Sequence, residues 1–525
     1  MTPGDRVEVP SLPRDFPWAA AASKGSSVTT SPSSDSENPM PDDSGSLSAR
    51  DRRRLTTVRS DRTIVAVLAG TGLIAAFMQT LVTPIIPELP LLLDSIPADT
   101  SWVLTSTLLA AAISTPISGR LGDMYGKRRI VLVLLAIMTA GSIVAALSES
   151  VIPMIVGRSL QGIGLGVISL GISILRDVIH PKNLGGAVAL VSATLGIGGA
   201  VGLPVAALIA ENMSWHYLFW LATVLSVVAF AFVAWIVPVS TLRTSGRFDF
   251  VGAIGLGVGL IGILLGVSKG SEWGWTSPAI LGLLGGGLVV LILWGFFELR
   301  TPHALIDLRV AARRPVLLTN LASISIGFAF FITSASLPIL LEAPTSTGVA
   351  FGLPLLIASL CLMPLGLVMF FTSSPAARLS NARGPRTSLI LGASIIAATF
   401  AAAIFLTGEI WHVILISTLV GLGVGFAYAA MPTLIMNAVP PTETAAANGL
   451  NSVMRTLGST VAATVVGVIL STQVVVSDGI SIPTTAAFQL SFGIGAGVAL
   501  VGVIIAFFIP RRKRTYEDTA SIPIQ

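Results

Sequence analysis

The stretch Gly119–Arg129, GRLGDMYGKRR, sets one carboxylate, Asp123, among four cations, Arg120, Lys127, Arg128 and Arg129. Gly122 and Gly126 allow tight backbone geometry around it. An acid placed this way suits a contact that is made and broken. It pairs with a basic group from the other half or with the positive end of the following helix, and lets go when the partner moves. Arg158, in RSLQGIGLG, is a cation set inside another apolar run. A charge at the centre of a membrane helix costs on the order of 2.5–3.5 kcal/mol, so it should face an interior partner or water. Snorkelling to the outer interface is the alternative. Residue sets for other chemistries are missing. There is no GxxxxGK[ST] stretch to cradle a nucleotide, and no His/Cys cluster with metal-ligand spacing. We expect no enzyme, no cofactor and no metal site.

The elements that hold these residues follow from composition. Of 525 residues, 53% are hydrophobic and 11% charged, with mean hydropathy +0.86. Soluble domains carry about 25% charged residues. A chain this apolar cannot cover a water-facing surface, so the class is an all-α membrane protein. The single cysteine, Cys361, excludes a disulfide framework. About fourteen apolar runs of roughly 20 residues fit the thickness of a bilayer. The expected organisation is a disordered cytoplasmic tail over 1–60, rich in Ser, Pro and Asp, and a six-helix bundle over 61–240. Two bridging helices over 241–300, a second six-helix bundle over 301–510 and a cytoplasmic tail over 511–525 complete it. No signal peptide is expected, because the first sixty residues hold no apolar stretch after a basic start.

The cations orient these runs. With the N-terminus in the cytoplasm, the inner connections take Arg120 to Arg129, Arg176, Lys182, Arg243, Arg247, Arg300 to Arg314 and Arg378 to Arg386. The outer connections hold Lys269 alone, while Arg158 and Arg455 fall within helices. That asymmetry predicts both termini in the cytoplasm of a multi-pass cell-membrane protein. The net charge of +5 then faces anionic lipid, and no nucleic-acid partner is expected. A second stretch, RLSNARGPR (Arg378 to Arg386), echoes the first but lacks its acid, which suggests two repeated halves with a latch on one side only.

On these residues the chain resembles the major facilitator superfamily, specifically its fourteen-helix drug:proton antiporter branch. Gly119, Leu121, Asp123, Gly126, Arg128 and Arg129 match the loop pattern G-x-L-x-D-x-x-G-x-R-[RK]. Arg158, Gln161, Gly162 and Gly164 match R-x-x-Q-G-x-G. GIGGAVGLPVAA is similar to the branch's glycine-rich pattern. Gly198 and Gly202 are present, but Pro204 comes one place late and Ala206 and Ala207 stand for the closing glycines. The resemblance implies two six-helix bundles with two extra transmembrane helices, and a role for Arg158 in proton transfer or substrate-linked switching.

Gly119, Asp123, Gly126, Arg128 and Arg129 are accordingly the candidate gate; Lys127, Arg128 and Arg129 fit topology anchoring equally well. Gly198, Gly202 and Pro204 are candidates for helix packing, for sealing against proton leak, or for both. The branch often carries an acid in the middle of its first span. Here FMQTLVTPIIPELP offers Gln79 and Val82 instead. Glu88 is the remaining candidate for proton coupling, with Arg158 as its correspondent; its alternative is a solvated helix-end carboxylate. Gln79, Thr83, Asn320, Asn451 and Arg455 are sparse polar groups for a mostly apolar cavity. The expected partners are the lipid bilayer, protons and a hydrophobic or amphiphilic small molecule, and the chain is expected to act as a monomer. The expected function is proton-motive-force-driven efflux of drugs or small molecules by alternating access. A dedicated exporter of one endogenous metabolite, and a non-transporting scaffold or sensor, are the alternatives.

Overall fold

The computed structural model describes residues 60–510, except 240–242, 245, 303, 346–349 and 478–479. Nearly all of the expected tail 1–60, and the tail 511–525, lie outside these residues. Among the described residues, fourteen helices are long and apolar enough to cross a membrane. They are α1 (Asp61–Ile86), α2 (Ala98–Tyr125), α3 (Lys127–Ala146), α4 (Val151–Val178), α5 (Lys182–Asn212), α6 (His216–Ile236) and α7 (Phe250–Gly270). Then come α8 (Pro278–Arg300), α9 (Arg314–Glu342), α10 (Leu355–Arg383), α11 (Pro385–Ala403), α12 (Ile410–Met436), α13 (Pro441–Thr472) and α14 (Thr485–Phe508). In a bilayer no water can satisfy backbone amides, so the apolar runs fold as helices that bond internally.

One apolar core gathers Leu68, Phe77, Leu135, Leu170 and Phe219 from α1–α6. Another gathers Ile326, Ile332, Phe400, Val424 and Phe492 from α9–α14, with Phe400 and Phe492 stacked at 6.0 Å. Leu256, Leu260 and Leu264 of α7 pack with Ala112 of α2 and Val453 of α13. The bridging pair therefore touches both six-helix groups. It does so through α7, since only 11% of the α8 window is buried against 72% for α12.

Glycines set the closest approaches. A methyl on Gly198 would sit 2.7 Å from the Leu73 carbonyl oxygen and 2.9 Å from the Phe77 nitrogen, and one on Gly202 would strike Thr80. The small-residue ridge of α5 thus lies against α1. Pro204 sits inside the same uninterrupted helix. On the other flank of α5, Gly366 of α10 meets the Gly196 backbone.

Three local features depart from the sequence reading. Gly119 to Tyr125 are not loop: the helix runs on through Tyr125, and the turn to α3 is Gly126 alone, at φ +105°. The buried acid of that last turn, Asp123, is tolerated because a second helix end satisfies it, as described below. Gly384, at φ +89°, makes the matching one-residue turn between α10 and α11. Between α13 and α14 lies a short antiparallel hairpin, β1 (Val474–Ser477) and β2 (Ile480–Pro483), with Val474 opposite Pro483. Its β-branched run is too short to span and suits paired strands. Lys269 belongs to α7 itself, 1% exposed and 2.6 Å from Glu272, rather than to an outer connection.

Gly198→Leu should push α5 off α1. Overpacking of this kind costs about 1–3 kcal/mol. We expect a lower thermal unfolding midpoint for the purified variant, whereas Gly285→Leu, where a methyl meets nothing within 4 Å, should leave it unchanged.

Candidate gate and buried polar network

The helix of α13 begins at Thr444, and the residue before it, Glu443, makes no side-chain cap. Its first amides therefore lack partners of their own. Asp123, 1% exposed, comes from the end of α2 to meet them. Its Oδ2 accepts from the Ala446 N–H at 3.0 Å, and its Oδ1 from the Ala445 N–H at 3.4 Å. A carboxylate at a helix N-terminus satisfies orphan donors and opposes the positive end of the helix dipole. The sequence suggested the following helix or a basic partner; the acid instead caps a helix some 320 residues away. Small residues permit the approach: a methyl on Gly119 would lie 2.6 Å from the Ala445 oxygen, and one on Gly449 2.9 Å from the Thr115 oxygen.

Other groups reinforce this seam. Lys127 Nζ stands 3.7 Å from Asp123 Oδ1 and donates to both oxygens of Asp177 at 2.8 and 2.9 Å. Arg176 Nη1 donates to Thr444 Oγ1 at 2.7 Å, and its Nη2 to the Val439 carbonyl at 3.2 Å. The Thr244 N–H donates to the Asp123 carbonyl at 2.8 Å, and Thr244 Oγ1 to the Thr442 carbonyl at 2.7 Å. Arg176 and Asp177 were not singled out from the sequence. The available signal was a second acid beside an arginine at the inner end of α4.

Four other arginines at this end do a different job. Arg128 donates to the Ala234 carbonyl in the last turn of α6, and Arg309 to Leu299 in the last turn of α8, at 3.1 Å. Arg313 reaches Ala438 just past α12, at 3.0 Å, and Arg386 reaches Ala506 and Phe507 in the last turn of α14. Cations at helix C-termini satisfy orphan carbonyls and complement the dipole. Arg128 is thus tied within α1–α6 rather than across the seam, and Arg129 is exposed.

Arg158 is 1% exposed. Its Nη1 donates to the Met78 carbonyl at 3.0 Å and to Gln161 Oε1 at 2.7 Å, while Gln161 Nε2 donates to Ser142 Oγ at 2.8 Å. Met78 lies in the last turn of the helix Asp61–Thr80, so this buried cation also serves a helix end. Interior placement is what its depth demanded. Glu88 is exposed, and among the described residues no hydrogen bond or ion pair joins it to Arg158.

Asn320, Asn451 and Arg455 come together. Asn451 Nδ2 donates to Asn320 Oδ1 at 3.0 Å and to Ser323 Oγ at 2.6 Å. Arg455 Nη1 donates to Asn451 Oδ1 at 3.3 Å and Nη2 to Ser452 Oγ at 3.0 Å, with the guanidinium 4.9 Å from the Tyr428 ring centre. Gln79 and Thr83 are exposed on α1, outside this network.

The profile of the Major Facilitator Superfamily matches residues 68–463 and 366–523. The chain belongs to the Major Facilitator Superfamily. It is a membrane transport protein and not an enzyme. Lincomycin resistance protein LmrB of Bacillus subtilis is 27% identical over 86% of this chain and 96% of its own length. Putative multidrug resistance protein MdtD of Escherichia coli is 26% identical over 75% of this chain and 84% of its own. The solved structure of the human organic anion transporter MFSD10 aligns with TM-score 0.61 at 16% identity, covering 85% of this chain and 99% of that one, and shares the fold. The fourteen spans and these relatives, named for drug resistance, agree with that assignment.

Asp123→Ala removes the cap on α13. Loss of such a cap costs about 0.5–2 kcal/mol, a shift of about 2- to 30-fold toward separation of α2 from α13. Spin labels at Tyr125→Cys and Asn437→Cys, both exposed, should report a longer distance population that is smaller in Asp123→Asn. Arg158→Met strands the Met78 carbonyl and Gln161. It should lower the unfolding midpoint by an amount matching about 1–3 kcal/mol, and Arg158→Lys should recover part of it.

Proposed function

We propose that this superfamily member is a proton-motive-force-driven efflux transporter of drugs or related hydrophobic or amphiphilic small molecules, working by alternating access. The observation that carries this is the capping of α13 by Asp123. It closes one end of the molecule with groups from opposite six-helix sets, so the two can part without either unfolding. The names of the relatives, lincomycin and multidrug resistance proteins, support the substrate class.

By the placement of Lys and Arg the closed end is the cytoplasmic one, in the cell membrane, with both termini cytoplasmic. Residues 61–240 and 301–510 are the moving bundles, 241–300 the bridge, and 1–60 and 511–525 the tails of a monomer. Arg158 is the switching group, because it ties α1 to α3 and α4 through Met78, Gln161 and Ser142. Glu88, exposed just beyond α1, is the proton-coupling group. Gln79, Thr83, Asn320, Asn451 and Arg455 line the substrate path, and the Gly198–Gly202–Pro204 stretch seals α5 against α1.

In everted vesicles with an imposed pH gradient, a panel of lipophilic drugs should drive proton release, and drug should accumulate in the lumen. A deletion strain should be hypersensitive to some of the same drugs. No movement across the panel, with the protein present in the vesicles, would refute export.

A further inference from the structure

We infer that Arg455 is the anchor of a binding site for organic anions with an apolar body, at the seam between the two six-helix sets. Arg455 is the twelfth residue of the helix Thr444–Thr472, roughly 17 Å along it, and so at mid-depth. None of the ion pairs among the described residues includes it. Its acceptors are neutral, Asn451 Oδ1 and Ser452 Oγ, and Tyr428 offers a ring face. The cation is therefore held in place, and its charge is left without a counter-ion.

Two further facts make it a ligand site rather than a structural strut. Arg158, a cation within α4, is 1% exposed and sealed, whereas Arg455 is only partly buried. And Ser452, which accepts from Arg455, shares a 3.0 Å hydrogen bond with Ser169 of α4. Arg455 thus stands two hydrogen bonds, through Ser452, from the opposite set of helices, where a molecule passing between the sets must go. A desolvated, partly accessible cation with no acid beside it favours an anion and repels a cation. A carboxylate, sulfonate or phosphate oxygen can take the guanidinium edge, while the rings of Tyr428 and of Phe330 beside it offer an apolar surface to the rest of the ligand. The inference rests on the transport proposal only in calling this seam a substrate path.

The test uses the full-length protein in nanodiscs, with empty nanodiscs subtracted, and three ligands on one ring: 2-naphthoate, 2-naphthol and 2-naphthylmethylammonium. Titration calorimetry should show 2-naphthoate binding at least tenfold tighter than the ammonium analogue. Arg455→Gln should erase the difference while leaving 2-naphthol affinity within twofold, and Arg455→Lys should restore much of it. Equal or tighter binding of the ammonium compound to the wild type, or unchanged 2-naphthoate affinity in a folded Arg455→Gln, would overturn the inference. The wild-type ranking needs no variant to fold. Export of neutral and cationic drugs from vesicles is scored separately: its absence with the anion preference intact defeats the export proposal and leaves this one standing.

Discussion

Helix ends are the constraint on which the rest of this molecule depends. A span satisfies its own backbone everywhere except in its first and last turns, and there the chain must supply partners that a bilayer cannot. Several of the charged side chains meet that need. Asp123 takes the first amides of α13, and Arg158 takes a carbonyl at the end of the first helix of α1. Arg128, Arg309, Arg313 and Arg386 take carbonyls at the ends of other helices. Topology and packing are therefore the same residues seen twice. A basic side chain that keeps a connection on one face of the membrane also finishes a neighbouring helix.

That double use explains what could be read from the sequence. The fourteen spans were legible because hydropathy over about 20 residues leaves few alternatives. The inward orientation of Arg158 followed from the cost of a bare charge at its depth. The Gly198–Gly202 contact followed from small-residue spacing. The partner of Asp123 could not be read, because it is backbone and carries no letter. For the same reason the stretch from Gly119 looked like a loop: its polar residues gave no sign that a distant helix end would satisfy them. The grouping of Asn320, Asn451 and Arg455 was half legible. Each was visible as a polar residue in an apolar run, but their meeting depends on how α9 and α13 cross.

The repeated halves differ where they matter most. Asp123 precedes its turn glycine, Gly126, by three residues; Asn381 precedes Gly384 by the same interval. Asn381 also lies beside the start of the opposite helix, since a methyl on Gly185 would be 3.0 Å from its Oδ1. The geometry is repeated, and the charge is not. Asn381 is exposed where Asp123 is buried, so one seam is held by a charged cap and its counterpart by neutral contacts.

The cap on α13 also decides what water does to this molecule. When α2 and α13 separate, neither the carboxylate of Asp123 nor the amides of Ala445 and Ala446 are left stranded, because each is a group that water solvates well. Separation is then an exchange of partners, not a net loss of them. An apolar seal of equal area would resist wetting and release only at the full cost of exposing it. A seal built on a carboxylate and a helix end exposes groups that solvent can bind in their turn, so parting it would cost less than parting an apolar contact of equal area.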